Sequence, residues 1–168
     1  MPTEVALPPL VCIVGRSNAG KTTLIEKLLP ELIRLGLSVG TIKHDVHGFD
    51  IDVPGKDSWR HKRAGAKRTM ISSPAKLALI QDTDHDPGLG ELLEFFRGLD
   101  LVLAEGYKRE NRPKVEVFRP EAYVEPLCRA DENLIALVSD VPVSLNVPRF
   151  GLEDAAGLAA FLKQHFHL

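Results

Sequence analysis

Eight consecutive residues carry the most specific chemical signal in this 168-residue chain: Gly15, Arg16, Ser17, Asn18, Ala19, Gly20, Lys21 and Thr22. They satisfy G-x-x-x-x-G-K-[ST], the pattern of a loop that cradles phosphates, and they stand between an apolar strand and an amphipathic helix as that pattern requires. The glycines let the backbone curl so that several N–H groups point inward, and the helix beginning near Lys21 adds its positive end. A helix terminus contributes only about 0.3–1 kcal/mol at an exposed site, so fixed charge must help. Lys21 is expected to reach the β and γ phosphates and Thr22 to ligate Mg²⁺ through its hydroxyl, with Thr23 completing the loop residues against the nucleotide. A nucleoside triphosphate with magnesium is the ligand that fits.

The magnesium-side carboxylate belongs at the C-terminal end of a neighbouring strand, where ligands of open α/β sheets gather. Glu105, after Leu101-Val102-Leu103-Ala104, meets that condition, the alternative being a solvated loop acid. Gly106 follows it, small enough to bring a backbone N–H close to the γ phosphate. Asp100 begins the same strand and belongs to the opposite rim. The last strong strand, Leu134 to Val138, runs into Ser139-Asp140. A carboxylate at Asp140 could accept from guanine N1–H and its exocyclic amine, a pairing adenine cannot supply, or it could cap the turn before Pro142.

The elements that position these residues alternate. Leu10 to Val14 is a short apolar run ending in glycine, the mark of a strand covered on both faces. Leu24, Ile25, Leu28, Leu29, Leu32, Ile33 and Leu35 recur at spacings of three and four, which predicts a helix capped by Gly36 and kinked at Pro30. Leu37 to Ile42 reads as a second strand, followed by a polar loop from Lys43 to Asp57. A helix capped by Asp57 or Ser58 is expected to run to about Ala66, and Thr69–Ser72 and Leu77–Ile80 to form two strands joined at Ser73-Pro74. A short helix over Leu89–Phe96, strands over Leu101–Ala104, Val115–Phe118 and Leu134–Val138, and a helix over Asp154–Phe166 complete the chain. The expected fold is a doubly wound, mostly parallel α/β sheet of the P-loop type, with helices on both faces and all of residues 1–168 in a single domain.

Composition excludes other classes. Apolar residues make up 44% and charged residues 26%, and 21 Lys and Arg against 23 Asp and Glu leave a net charge of −2, which argues against disorder and against a dedicated nucleic-acid binder. The longest charge-free run, Val5 to Gly15, has eleven residues and two prolines, too short to span a membrane. Cys12 and Cys128 lie far apart without a CxxC partner, so a reduced, cytoplasmic setting is expected, with Cys12 as core filling.

Further motifs carry a family resemblance. The phosphate loop, then Gly40-Thr41-Ile42-Lys43-His44, His47, Asp50, Asp52, then Pro54-Gly55-Lys56-Asp57-Ser58, Ala64-Gly65-Ala66, and Asp100 to Lys108 ending in Glu-Gly-Tyr-Lys, together resemble the MobB family. The resemblance spans about Leu10 through Val143. It implies a homodimeric P-loop protein that binds GTP with weak hydrolysis and assists a separate molybdenum cofactor guanylyltransferase in making molybdopterin guanine dinucleotide. Family motifs fall on the phosphate loop, Lys43, His44, His47, Asp50, Asp52, Gly55, Lys56, Asp57, Ser58, Glu105, Gly106 and Lys108. Asp45 is not among them. The resemblance also raises guanine over adenine as the base.

Physically, the segment from Lys43 to Ser58 can pass over the γ phosphate and act as a switch ordered by nucleotide and magnesium. His44, His47, Asp50 and Asp52 could instead bind a transition metal, or be plain solvated loop. Arg60, Lys62, Arg63, Lys67 and Arg68 crowd into nine residues, and Lys108, Arg109, Arg112 and Lys114 form a second cluster. Molybdopterin phosphate, nucleotide or an acidic partner surface could dock on either, the alternative being solvated faces. Trp59 reads as a packing anchor or dimer contact. No arginine finger or water-positioning residue stands out, so any GTP hydrolysis should be slow, about 10⁻⁴–10⁻³ per second. Two other functions use the same loop: an ATP-dependent small-molecule kinase or ligase with Lys43, His44 and Asp45 lining its pocket, and a metal-delivery GTPase built on the histidines.

Overall fold

A computed structural model describes residues 6–45 and 47–168; Val5, at the start of the charge-free run, lies outside them. The chain divides into two compact units, Met1–His44 with Leu93–Leu168, and Asp45–Leu92 between them in sequence.

The first unit is built on six parallel strands. These are β1 (Leu10–Val14), β2 (Val39–Lys43), β5 (Leu101–Glu105), β6 (Lys114–Val117), β7 (Leu134–Val138) and β8 (Arg149–Phe150), ordered β2-β5-β1-β6-β7-β8. The order reverses around β1, so its C-terminal end is the topological switch point at which such sheets bind ligands. Helices α1 (Lys21–Arg34) and α4 (Ala155–His165) pack against each other on one face. Leu28 and Leu32 of α1 and Leu158 and Leu162 of α4 are fully buried with Val11, Ile13, Leu101, Leu103, Val115 and Val117. Each such side chain contributes about 1.5–3 kcal/mol of burial. The opposite face is covered differently. A 3-10 turn, Glu94–Phe96, lays the Phe96 ring on Gly40, where a Cβ would meet it at 2.3 Å, and irregular chain beyond β6 covers Glu116.

α1 continues through Pro30 to Arg34 and ends where expected. Gly36, at φ +86°, donates to Ile33 O and Leu37 donates to Leu32 O, a Schellman closure that needs glycine at the left-handed position. Asp154 caps α4 by accepting the Gly157 N–H at 3.0 Å. Asp100 accepts the Ser38 N–H and hydroxyl at the strands' N-terminal rim, away from the switch point as its place in the strand predicts.

In the second unit, α2 (Asp57–Arg63) stops short of Ala66. Gly65 takes φ +107° and the Ala66 N–H turns back to His61 O, which ends the helix. Its N-cap is Lys56, and Asp57 lies in the first turn. Strands β3 (Arg68–Ser72) and β4 (Leu77–Gln81) form an antiparallel hairpin. Ser73 closes its turn, its N–H donating to Lys76 O at 2.8 Å while its Oγ accepts the Lys76 N–H. α3 spans Leu89–Leu93.

Candidate functional site

The strand–loop–helix unit is formed as the sequence predicts, β1 ending at Val14 and α1 beginning at Lys21. Between them the backbone turns through positive φ at Gly15 (+146°), Asn18 (+62°) and Gly20 (+98°). Gly15 has a second reason to be glycine: a Cβ there would lie 2.6 Å from Val117 O of β6. Ala19 is buried and its N–H donates to Arg16 O, while Ser17 and Asn18 stay exposed. Lys21 arches back over the loop, Nζ donating to Gly15 O at 3.2 Å and Arg16 O at 2.9 Å. Its ammonium is therefore held against the backbone of the loop itself. Thr22 and Thr23 lie exposed in the first helical turn.

Parallel pairing brings Glu105 to this loop. Ile13 and Lys43 are both in register with Glu105, and the Thr22 hydroxyl stands 3.0 Å from each of its carboxylate oxygens. A hydroxyl and a carboxylate are oxygen donors of the kind that a hard divalent cation takes. Gly106 departs from expectation. Its N–H donates to Ile13 O at 3.0 Å, extending the β1–β5 ladder, so this amide is engaged within the sheet and is not aimed at a phosphate. Gly106 contributes conformation instead, with φ +102°, followed by Tyr107 at +57°. That turn stacks Tyr107 on His44, ring centroids 4.8 Å apart. His44, just past Lys43, donates its N–H to Glu105 O at 3.3 Å.

Asp140 lies exposed beyond β7, and its Oδ1 accepts the Leu152 N–H at 2.8 Å. That bond ties the end of β7 to the turn after β8, whereas the turn before Pro142 is closed by Ser139, whose Oγ accepts the Val141 N–H at 3.3 Å. In the second unit, Asp52 accepts from the Ser58 hydroxyl and the Val53 N–H, and Asp45 from the His47 N–H. Among the described residues no three His, Cys, Asp or Glu side chains converge on a metal-sized site.

The basic clusters resolve unevenly. Lys62 pairs with Asp82 at 2.5 Å, Arg60 with Asp57 at 3.7 Å, Arg68 donates to Gln81, and Arg63 lies over the Trp59 ring. Trp59 is half-buried. Lys114 is not part of a surface cluster. It is 2% exposed in the middle of the sheet, its ammonium 2.8 Å from Asp131 Oδ2, and that hydrogen bond holds the Asp131 carboxyl below the usual range. β6 has β1 and β7 on either side, and all four of its residues are buried.

Glu116 is likewise fully buried. It accepts the Leu127 N–H at 2.7 Å, the Cys128 N–H at 2.9 Å and the Tyr123 hydroxyl at 2.7 Å. Burial raises the Tyr123 pKa, and Glu116 adds to the rise. The Arg16 guanidinium lies over the Tyr123 ring. Arg119, the second residue after β6, brings its guanidinium against Gly20. Neither Glu116 nor Arg119 is evident from motif spacing. The strand-end rule that finds Glu105 would also have found Arg119, because β6 is the other neighbour of β1.

The described residues contain no helix long and apolar enough to cross a membrane. Residues 10–140 match the family model of molybdopterin guanine dinucleotide synthesis protein B, MobB. The chain is 39% identical to the molybdopterin-guanine dinucleotide biosynthesis adapter protein of Escherichia coli over 161 residues, 92% of this chain and 91% of that one. It is 38% identical to the protein of that name from Haemophilus influenzae, over 95% and 92% of the two chains. The crystal structure of Bacillus subtilis MobB superposes with a TM-score of 0.70 at 30% identity, covering 93% of this chain and 97% of that one. With the phosphate loop, the order of the sheet and Glu105 in register beside Thr22, these likenesses place the chain in the MobB family.

Proposed function

We propose that this protein is a GTP-binding adapter that supports a partner guanylyltransferase in forming molybdopterin guanine dinucleotide, and is itself at most a slow GTP hydrolase. The observation that carries the reading is the loop from Gly15 to Thr22 set against Glu105 at the switch point of the sheet, in a chain of this family. The donor set suits a nucleotide's phosphates. Backbone bent through Asn18 and Gly20 would offer amides, and the Lys21 ammonium lies against the same loop. Gly15, Arg16, Ser17, Asn18, Ala19, Gly20, Lys21, Thr22 and Thr23 would hold the phosphates. Thr22 and Glu105 would hold Mg²⁺, which when bound offsets phosphate charge. Lys43 and His44 would border the triphosphate end, with Gly106 shaping the turn beside them. Asp140 would accept from guanine through whichever of its lone pairs Leu152 leaves open.

The chain would act as one nucleotide-binding domain, the Asp45–Leu92 unit being its insertion. Two chains would pair as a homodimer, which is supported by exposed Met70, Ile71 and Leu77 on the β3–β4 hairpin. The setting would be cytoplasmic, in keeping with two free, buried cysteines. Molybdopterin would be a ligand of the assembled complex. The test is reconstitution of a guanylyltransferase with molybdopterin, Mg²⁺ and GTP. Adding this protein should raise the yield of molybdopterin guanine dinucleotide, and an unchanged yield across a range of protein concentrations would remove the adapter role.

A further inference from the structure

We infer that Arg119 is a second cationic anchor of the phosphate cradle, donating from its guanidinium to the phosphate chain of the nucleotide that Lys21 holds. The inference rests on the nucleotide reading above and assigns a residue outside the phosphate-loop motif.

Position comes first. A Cβ built on Gly20 would lie 3.5 Å from both Nε and Nη2 of Arg119, so the guanidinium lies against the loop just before Lys21. Glycine at that position leaves the arginine room, over and above its φ of +98°. Bonding comes second. Arg119 Nε is removed from water and has no hydrogen-bond partner among the described residues. Leaving such a donor unsatisfied is unfavourable, and an acceptor arriving with a ligand would relieve it. Other cations of the same stretch are committed: Lys114 to Asp131, and Arg129 to Glu125 at 3.6 Å. No described carboxylate pairs with Arg119.

The side chain is also carried on a fixed turn. Arg119 O accepts the N–H groups of Ala122 and Tyr123, the Tyr123 hydroxyl lies 2.6 Å from Val117 O, and buried Glu116 holds the Leu127 and Cys128 amides. A rigidly carried, unpaired guanidinium beside an amide-lined loop is suited to bidentate phosphate contact, which a lysine cannot reproduce.

The test measures equilibrium binding of GTP, GDP and guanosine with Mg²⁺ to the full chain and to Arg119→Ala, Arg119→Gln, Arg119→Lys and Lys21→Ala, by calorimetry or a fluorescent analogue. Melting temperatures without nucleotide serve as folding controls. Arg119→Ala should weaken GTP and GDP by about tenfold to a hundredfold and guanosine by less than about twofold. Arg119→Lys should recover only part of the loss, and the salt dependence of GTP binding should flatten in Arg119→Ala. If Arg119→Ala does not fold, Arg119→Gln, which keeps most of the side-chain volume, is held to the same criteria. GTP binding within twofold of wild type in a folded Arg119 variant, with Lys21→Ala defective, would overturn the anchor and leave the nucleotide reading intact. Equal losses for guanosine and GTP would also overturn it, since the contact would not be to phosphate. A wild-type chain that binds no GTP would overturn both.

Discussion

Replacing Glu116 by glutamine changes one atom type at the most buried carboxylate of the sheet, and the cost can be worked out from its partners. Oε1 takes the Leu127 N–H and faces the Tyr123 hydroxyl, and Oε2 takes the Cys128 N–H, all within 2.9 Å. A glutamine has one acceptor oxygen. If that oxygen keeps the two donors at Oε1, its NH₂ must face the Cys128 N–H, donor against donor. One charge-assisted bond worth about 1.5–3 kcal/mol is lost and a buried amide is left unsatisfied at about 1–3 kcal/mol. Relief from burying a charge offsets part of this, leaving a net of about 3 kcal/mol. The expected fall in melting temperature is about 6–12 °C for a chain of this size. In urea, with a slope of about 2 kcal/mol/M, the midpoint should drop by about 1.5 M. Tyr123→Phe should cost less, about 1 kcal/mol, and the double mutant should fall short of additivity because the two groups share a bond. A Glu116→Gln midpoint within 0.25 M of wild type, roughly half a kilocalorie on the same slope, would refute the three-donor arrangement and with it the fixed turn that carries Arg119.

Other consequences are equally specific. Gly15→Ala places a Cβ 2.6 Å from Val117 O at φ +146°; strain alone is about 1–3 kcal/mol, so denaturation should show a loss of at least that size, and an unchanged midpoint would contradict the loop geometry. Burial pushes the Cys12 thiol up to about 11 and the Cys128 thiol up to about 12, so at pH 8 both should resist iodoacetamide in the native protein and react after unfolding, as read by mass spectrometry. Asp131, held below its ordinary range by Lys114, contributes stability that is complete above the unfolded carboxyl value near 4 and is lost as pH falls through the lower folded value. Asp131→Asn should therefore flatten the acid limb of a stability-versus-pH curve, and should cost up to about 3 kcal/mol at neutral pH by leaving the buried Lys114 ammonium without its counter-charge, its bond to Glu110 O remaining. Asp140→Ala should weaken GTP more than ATP in parallel titrations, and equal weakening would remove Asp140 from base recognition.

Local signals in the sequence identify the parts of the site that are local in the chain. The phosphate loop is legible because a strand, a glycine turn and a helix occur within 25 residues, each with its own periodicity. Glu105 is legible because a short apolar run has an evident end, and strand ends face ligands in parallel sheets. What the sequence hides is burial decided by neighbours far away in the chain. Lys114 reads as one of a cluster of surface cations, yet β6 lies between β1 and β7, and Asp131, Leu127 and Cys128 close over Lys114 and Glu116. The Gly106 amide looks free for a phosphate until β1 is seen to pair with β5 and take it. Arg119 follows a strand end as Glu105 does, but what it faces depends on Gly20, 99 residues earlier, being its neighbour in space.

Calorimetric titration of GTP with Mg²⁺ against the wild-type chain and Lys21→Ala puts the phosphate cradle itself to the test. The wild type should bind one GTP per chain, and Lys21→Ala should bind at least about a hundredfold more weakly while melting within a few degrees of wild type, since its ammonium bonds only two backbone carbonyls of the loop. A folded Lys21→Ala variant that binds GTP as tightly as wild type would contradict the assignment of the Gly15–Thr22 loop to the nucleotide's phosphates.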